Sequence, residues 1–394
     1  MSLWQTDRVK PKTFMLIAGE ASGDLLAAEL VAALRAKLPD ARFFGAGGAK
    51  MAAANVELAF DMTQHAMVGI PTVGKYLKLR QMGDQLREMA IKRAPDVVIG
   101  IDYGGFNLRF GHAIKRYIRE NPFSTWKPKL VQFVSPQVWA SRPRRARQIA
   151  ADYDLLLSIF PFEKAWYAAR VPQLRVEFVG HPMIDRFARE DLEFARRGSE
   201  RSSTPNHQAK ILLLPGSRTG ELKQHLPVML QALQLIQQKL PEAKAKMVLP
   251  NPALMRLAQS LGAKLEIQIG ELPWALSEAD VVLTKTGTVT MECAYFGAPA
   301  VTLYRKQLLG LALALRIIKI KTLTMPNLLA GEEVYPEFLQ KAATPQNLAE
   351  ATLALLQDPA RQQKIKRQLA QIIDSLGQPG APKRAADAVL SLFP

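Results

Sequence analysis

The chain carries one cysteine, Cys293, in 394 residues. That excludes an intrachain disulfide and any metal cluster built on several thiolates. Its histidines, His65, His112, His181, His207 and His225, stand at no ligand spacing such as H-x-x-x-H. No Gly-x-Ser-x-Gly elbow offers a serine nucleophile. Long hydrophobic runs are missing too: the most hydrophobic stretch is purely apolar only from Leu308 to Leu315, far short of the ~20 residues that span a bilayer. No low-complexity tract or short repeat appears. Acids are scarce, 35 against 52 Lys+Arg, for a net charge of +17. Such an excess suits an anionic partner, whether nucleic acid, acidic membrane or phosphorylated substrate, and does not choose among them. The polar segment from Met1 to Lys12 leads straight into an apolar run, so no signal peptide and a cytoplasmic location are expected.

What is present is a rhythm of short β-branched or aromatic runs and helical patterns. Thr13–Ala18, Arg42–Phe44, Val97–Ile101, Lys129–Val134 and Leu155–Ile159 read as strands. A charged, Ser- and Pro-containing segment over 187–209 reads as a linker. The rhythm then resumes with Ile211–Leu214, Lys246–Leu249, Leu265–Ile269, Asp280–Leu283 and Ala300–Leu303. This is the pattern of α/β domains with parallel sheets. The expected organisation is a first Rossmann-like domain over 1–186, a second over 210–365, and a helical tail over 366–394 that packs back on the first domain or on a partner subunit. Two such domains imply a cleft, with ligands beyond the carboxyl ends of strands.

Six segments merit a chemical reading. Ile211–Leu214 enters the turn Pro215-Gly-Ser-Arg218 ahead of a helix from about Glu221 to Lys239. Amides and the helix dipole there suit an anion, and Arg218 adds a planar fork for phosphate. Gly19–Asp24 offers Glu20, Ser22 and Asp24 for hydroxyl contacts, with Ser22 a helix cap; it equally suits plain strand-to-helix packing. Asp102 directly follows a buried strand, where it is either a general base or the cap of the next helix. Thr286-Gly-Thr288 precedes a helix Val289–Phe296 with Glu292 one turn in, which suits a nucleotide diphosphate and a ribose diol, or an ordinary capped helix. The basic, apolar stretch Leu308–Thr324 suits a membrane interface or a core, and Arg142, Arg144, Arg145 and Arg147 beside Trp139 suit a solvated helix face better than a nucleic-acid module.

Together the motifs resemble one family, the lipid-A-disaccharide synthases, inverting glycosyltransferases of the two-domain GT-B fold. The matching pieces run from about Phe14 to Val389: Ala18-Gly-Glu-Ala-Ser-Gly-Asp24, Pro95-Asp-Val-Val-Ile-Gly-Ile-Asp102, Phe106-Asn107, Val134-Ser-Pro-Gln-Val-Trp-Ala140, Phe160-Pro-Phe-Glu-Lys164, Val179-Gly-His-Pro182, Leu213-Leu-Pro-Gly-Ser-Arg218, Gly287-Thr288 with Glu292, Met325-Pro-Asn-Leu-Leu-Ala330 and Gln340. The resemblance implies parallel sheets facing across a cleft. It implies UDP-2,3-diacylglucosamine as donor, 2,3-diacylglucosamine 1-phosphate (lipid X) as acceptor, and the β-1,6-linked lipid A disaccharide 1-phosphate and UDP as products. Asp102 would be the base; Arg218 and Thr286–Thr288 would meet the diphosphate and Glu292 the ribose, with Gly216, Ser217, Gly270, Asn327 and Gln340 completing the donor site. Glu20, Ser22, Asp24 and Asn107 would line the acceptor side. No metal, cofactor or nucleic acid is implied; a homodimer and an anionic inner-membrane surface, met from the cytoplasmic face, are. Four positions depart from the family pattern: Tyr103-Gly104-Gly105 replaces a usual small-Pro-Asp run, Thr72 a Glu, Ser141 a Trp and Lys285 a small residue. The rival readings are another UDP-sugar GT-B enzyme, epimerase-like or undecaprenyl-linked, and a non-enzymatic basic membrane or nucleic-acid binder.

Overall fold

The computed structural model describes residues 11–63, 73–187, 208–305 and 322–393. Thr72, most of the linker 187–209 and most of the stretch Leu308–Thr324 lie outside the described residues. The chain divides into two compact units, Met1–Asp185 with Leu376–Pro394, and Arg186–Ser375.

The first unit runs β1 (Thr13–Ala18), α1 (Ala21–Lys37), β2 (Arg42–Gly47), α2 (Ala49–Ala53), β3 (Glu57–Asp61), α3 (Val73–Arg93), β4 (Val97–Ile101), α4 (Gly104–Glu120), β5 (Lys129–Phe133), α5 (Val138–Ser141), α6 (Arg145–Asp152), β6 (Leu155–Ser158), α7 (Pro161–Ala168), β7 (Arg175–Phe178) and α8 (Met183–Arg186), the last of which crosses the border by one residue. The second runs β8 (Lys210–Leu214), α9 (Thr219–Lys239), β9 (Lys244–Leu249), α10 (Pro252–Ser260), β10 (Glu266–Ile269), α11 (Leu272–Glu278), β11 (Val281–Lys285), α12 (Val289–Tyr295), β12 (Ala300–Tyr304), α13 (Met325–Ala330), β13 (Glu337–Leu339), α14 (Pro345–Gln357) and α15 (Pro359–Ser375). The final helix, α16 (Ala381–Leu390), returns to the first unit.

Among the described residues each unit holds one parallel sheet, ordered β3-β2-β1-β4-β5-β6-β7 and β10-β9-β8-β11-β12-β13. Both orders reverse direction beside the first strand of the unit, between β1 and β4 and between β8 and β11. Those switch points are where open α/β sheets take ligands. The central strands are mostly apolar because helices cover both faces; all five residues of β4 are buried. In the first unit one sheet face packs on α1 and α16. The other carries Leu86 of α3, Phe110 and Ile114 of α4 and Ile149 of α6.

Three strands escape the sequence reading: β3, β7 and β13. All are edge strands, short and interrupted by Glu57, Asp61, Arg175, Glu177 and Glu337, because charge protects an exposed edge from pairing. Strand β2 also continues through Gly45–Gly47, which reads as loop by composition. A Cβ on Gly45 would stand 1.8 Å from the Leu16 carbonyl oxygen, so only glycine fits there. The tail divides at Ser375/Leu376, ten residues beyond the expected 365/366. No helix among the described residues is long and apolar enough to cross a membrane.

Candidate active site

In the first unit the loops after β1 and β4 carry the candidate residues. Asp102 and Tyr103 both adopt left-handed backbone, at φ +48° and +42°. Two adjacent non-glycine residues there cost on the order of 1–3 kcal/mol each unless their surroundings over-determine them. The surroundings do so. The Asp102 amide donates to the Phe133 carbonyl. Its carbonyl accepts from Asn107 Nδ2 and from Gln132 Nε2, each at 2.9 Å. Both amide side chains need space within the sheet, and Gly100 supplies it: a Cβ there would come within 2.6 Å of Gln132 Oε1 and 2.8 Å of Asn107 Cβ. Burial pushes the Asp102 carboxyl above its usual range, against a hydrogen bond from the Tyr103 amide that lowers it. A raised carboxylate is a stronger base.

Asn107 therefore acts on the backbone of Asp102, and its own side chain is almost fully buried. Gln132 is the residue that sequence reading missed. Its signal is a lone amide in the apolar run Leu130–Val134. Asp24 is a correction to the expected hydroxyl contact: it is buried and accepts from the amides of Gly48, Lys50 and Met51 at 2.7, 2.9 and 3.1 Å, capping α2. Ser22 is not the cap of α1, which begins at Ala21 with Glu20 at the cap position and no side-chain bond. Glu20 lies near the Tyr103 phenol, which burial and that negative charge push up while Arg109 lowers it. The pair Asp152 and Asp154, an Asp-x-Asp spacing that sequence reading passed over, is committed elsewhere: Asp152 meets His112 at 2.9 Å, and Asp154 meets Lys115 and the Leu130 amide.

In the second unit Gly216, Ser217 and Arg218 follow β8, Gly270 follows β10, Thr286 follows β11 and Gln340 follows β13. All stand at the carboxyl edge of the sheet, because parallel strands end on the same side. Glu221 in the first turn of α9 organises the β8 and β11 loops. Its Oε2 accepts from the Ser217 amide at 3.0 Å. Its Oε1 lies 3.1 Å from Lys285 Nζ and 3.5 Å from Arg218 Nη1. Gly216, at φ +134°, has no room for a Cβ, which would stand 2.5 Å from Glu221 Cβ. Partial burial raises the Glu221 carboxyl, but Lys285, the Ser217 amide and Arg218 outweigh it and hold the group below its usual range. His225 joins two loops: Nδ1 donates to the Pro215 carbonyl at 3.0 Å, and Nε2 accepts from the Arg305 amide at 3.3 Å. Burial keeps that imidazole below its ordinary value, hence neutral.

Thr286 is buried, and Gly287 accepts from the Thr290 hydroxyl at 2.7 Å. Thr288 sits at the cap position of α12 without a side-chain cap. Glu292 is pushed up by burial and pulled down by Arg186. Asn327 is turned into the protein. Its Oδ1 accepts from the amides of Val334 and Tyr335 at 2.9 and 2.8 Å, and its Nδ2 donates to the Tyr335 carbonyl at 2.8 Å. It pins the loop before β13, which brings Gln340 to the sheet edge. No group of three or more His, Cys, Asp or Glu able to hold a metal ion occurs among the described residues.

Comparison with known proteins gives this geometry a family. Residues 14–391 match the model of the Lipid-A-disaccharide synthetase family. The lipid-A-disaccharide synthase of Gluconobacter oxydans (strain 621H) is 35% identical over 387 residues, covering 96% of this chain and 89% of the relative. That of Myxococcus xanthus (strain DK1622) is 34% identical over 389 residues, covering 98% of each. Among solved structures, the UDP-GlcNAc 2-epimerase from Neisseria meningitidis bound to UDP-GlcNAc matches with a TM-score of 0.61 at 15% identity, covering 96% of this chain and 100% of that one. The MurG of Acinetobacter baumannii matches with a TM-score of 0.56 at 16% identity, covering 97% and 100%. Those structures share the fold, and the sequence relatives carry the assignment: the chain belongs to the lipid-A-disaccharide synthase family.

Proposed function

We propose that the chain transfers the diacylglucosaminyl group of UDP-2,3-diacylglucosamine to the 6-hydroxyl of 2,3-diacylglucosamine 1-phosphate. The products are the β-1,6-linked disaccharide 1-phosphate and UDP. Asp102 takes the proton of the acceptor hydroxyl, whose oxygen attacks the anomeric carbon from the face opposite the diphosphate, inverting that centre. As the glycosidic bond to UDP breaks, negative charge grows on the diphosphate. Arg218, the amides of the Gly216–Ser217 turn and the positive end of α9 meet it. Lys285, which departs from the family pattern, adds a second cation, since Arg218 and Lys285 share Glu221. Glu292 takes the ribose diol, and Gly270, Thr286, Gly287, Thr288 and Gln340 border the nucleotide. Asn107 and Gln132 position Asp102 and do not touch substrate. The enzyme works at an anionic membrane surface as a peripheral protein and a homodimer.

The observation that carries this reading is the strained, half-buried and doubly clamped Asp102 at the end of β4. The relatives at 34–35% identity favour it over an epimerase-like activity, for which likeness at 15% gives the fold alone. The test is UDP release from purified protein given both lipids. Asp102→Asn, which keeps the shape and removes the base, should lower kcat by about 10²–10⁴-fold with little change in the donor KM. In the wild type kcat/KM should fall on the acid side through a pKa above the ordinary 3.8 of Asp. An Asp102→Asn variant with wild-type turnover would refute the base assignment.

A further inference from the structure

Helices α3 and α4 leave between them a groove of about 560 Å³, counted to its open mouth. Its apolar lining is Leu79 and Gly83 from α3 and Phe106, Phe110 and Ala113 from α4; Asp84 lines it too and pairs with Arg87 at 3.2 Å. Arg80, Arg87 and Arg109 also line it. An aromatic row leads into it from the candidate base: Tyr103, next to Asp102, stacks on Phe106, and Phe106 on Phe110, at 6.0 and 6.3 Å between ring centres.

Gly83 keeps this groove open. It lies inside a 21-residue helix, where glycine is a poor choice for helix stability. Close helix approach does not require it: a Cβ there would rest 3.6 Å from the Phe106 ring, an ordinary contact. Any side chain larger than a methyl would extend into the groove. What glycine provides at this position is empty space beside Phe106.

Arg109 also lines a second pocket, between α4 and α6, with Gly105, Arg145 and Asp152. Burial and then the neighbouring charges of Arg142 and Arg109 hold the Arg145 guanidinium below its usual range. The one carboxylate in this pocket, Asp152, bonds His112. Gathered guanidinium groups repel one another, and a phosphate dianion relieves that repulsion through charge-assisted bonds. Gly105 is in the first turn of α4, three residues past Asp102. An apolar channel and a cationic pocket thus meet at Arg109, beside the candidate base.

We propose that this pair of cavities holds the acceptor: one acyl chain lies along the α3–α4 groove and the phosphate monoester sits between Arg109 and Arg145. The assignment rests on the transferase reading above. It takes an amphipathic phosphate as a single molecule and not as a bilayer surface. A surface needs charge alone, whereas a withheld side chain over an aromatic floor fits one chain.

Dodecyl phosphate below its critical micelle concentration is the probe, with binding to the full chain followed by titration calorimetry. The wild type binds it. Gly83→Leu, which fills the groove, and Arg109→Ala/Arg145→Ala, which empties the pocket, should each weaken it about tenfold or more. Gly83→Ala should keep it. Both arginines are exposed, so the second variant folds even where Gly83→Leu does not. Binding of Gly83→Leu to phosphatidylglycerol vesicles should match the wild type. Unchanged dodecyl phosphate affinity in folded Gly83→Leu or in the double arginine variant overturns the assignment, as does a parallel loss of vesicle binding by Gly83→Leu. Dodecyl phosphate binding without UDP release from the two lipids would count against the transferase reading and leave the site standing. UDP release with an acceptor KM unmoved by either variant would do the reverse.

Discussion

Asp102 is half-buried and Glu163 fully buried, and their neighbours treat the two carboxyls differently. Asp102 has its backbone carbonyl clamped by Asn107 and Gln132, and its carboxyl is the base proposed above. Glu163, on α7, has no solvent exposure; its Oε1 accepts from Trp139 Nε1 at 3.0 Å and its Oε2 lies 2.6 Å from Ser158 Oγ. Ser158 Oγ is also 2.7 Å from the Phe160 carbonyl. A hydroxyl has one proton, so both contacts are satisfied when Glu163 is protonated and donates to Ser158. Burial indeed pushes the Glu163 carboxyl up, against the hydrogen bonds from its neighbours. A carboxyl with a raised folded pKa holds its proton where the unfolded chain has lost it. Wild-type stability therefore falls as pH rises from the ordinary 4.5 towards the folded value. Glu163→Gln reproduces the protonated pattern, its N–H donating to Ser158 and its carbonyl accepting from Trp139. Urea unfolding at about pH 4 and about pH 8 should show the variant gaining stability relative to the wild type at the higher pH. Parallel curves would contradict a protonated Glu163. At this scale Asp102 was legible, because a carboxylate just past an apolar strand can only lie at a sheet's carboxyl edge. Its clamp was not: Gln132 reaches it through the pairing of β4 with β5, which no local pattern encodes. Asp24 was misread for the same reason, since α2, which it caps, arrives from 24 or more residues away.

Helix α16 shows how an element can belong to a unit distant in sequence. Ala385, Ala386 and Val389 are completely buried in the core of the first unit together with Leu30 and Leu34 of α1. Polar ties hold its entry: Asp185 accepts from the Gly380 and Ala381 amides. Arg384 donates to the carbonyls of Val179, Pro379 and Gln378 at 2.8, 2.9 and 2.6 Å. Lys37 of α1 pairs with Asp387 at 2.6 Å. Val389→Asp buries a carboxyl in an apolar site and should cost about 3 kcal/mol or more in chemical denaturation. Truncation after Ser375 uncovers the face of α1 that packs on α16 and should leave the first unit unfolded by circular dichroism and prone to aggregate. A truncated protein with a wild-type melting curve would mean that α16 adds nothing to that core. The helical pattern of the tail was readable, but its division between α15 and α16 was not, because an apolar stripe states that a helix is buried and not against what. Central strands were readable as apolar runs for a related reason: both their faces are covered. The edge strands β3, β7 and β13 carry charge and lack that signal.

For the whole molecule the charge of +17 is the property that acts furthest from the surface. Binding to phosphatidylglycerol vesicles should weaken steeply as salt rises from about 0.05 M to about 0.5 M, since the Debye length shrinks to a few ångströms. Sedimentation with vesicles of graded phosphatidylglycerol content measures this. Salt-insensitive binding would point to apolar insertion instead of charge. Repeated apolar runs and turn residues are local signals, so the α/β class, the two-unit plan, the family and the strand-end positions of Asp102, Arg218 and Thr286 could be read along the chain. Which polar groups bond to which emerged only in the folded chain. Gln132 and Asn107 converge on Asp102, Glu221 gathers Arg218 and Lys285, and Asp24 and Asn327 are consumed in the framework. A hydrogen bond between residues far apart in the chain exists only once the sheets bring them together.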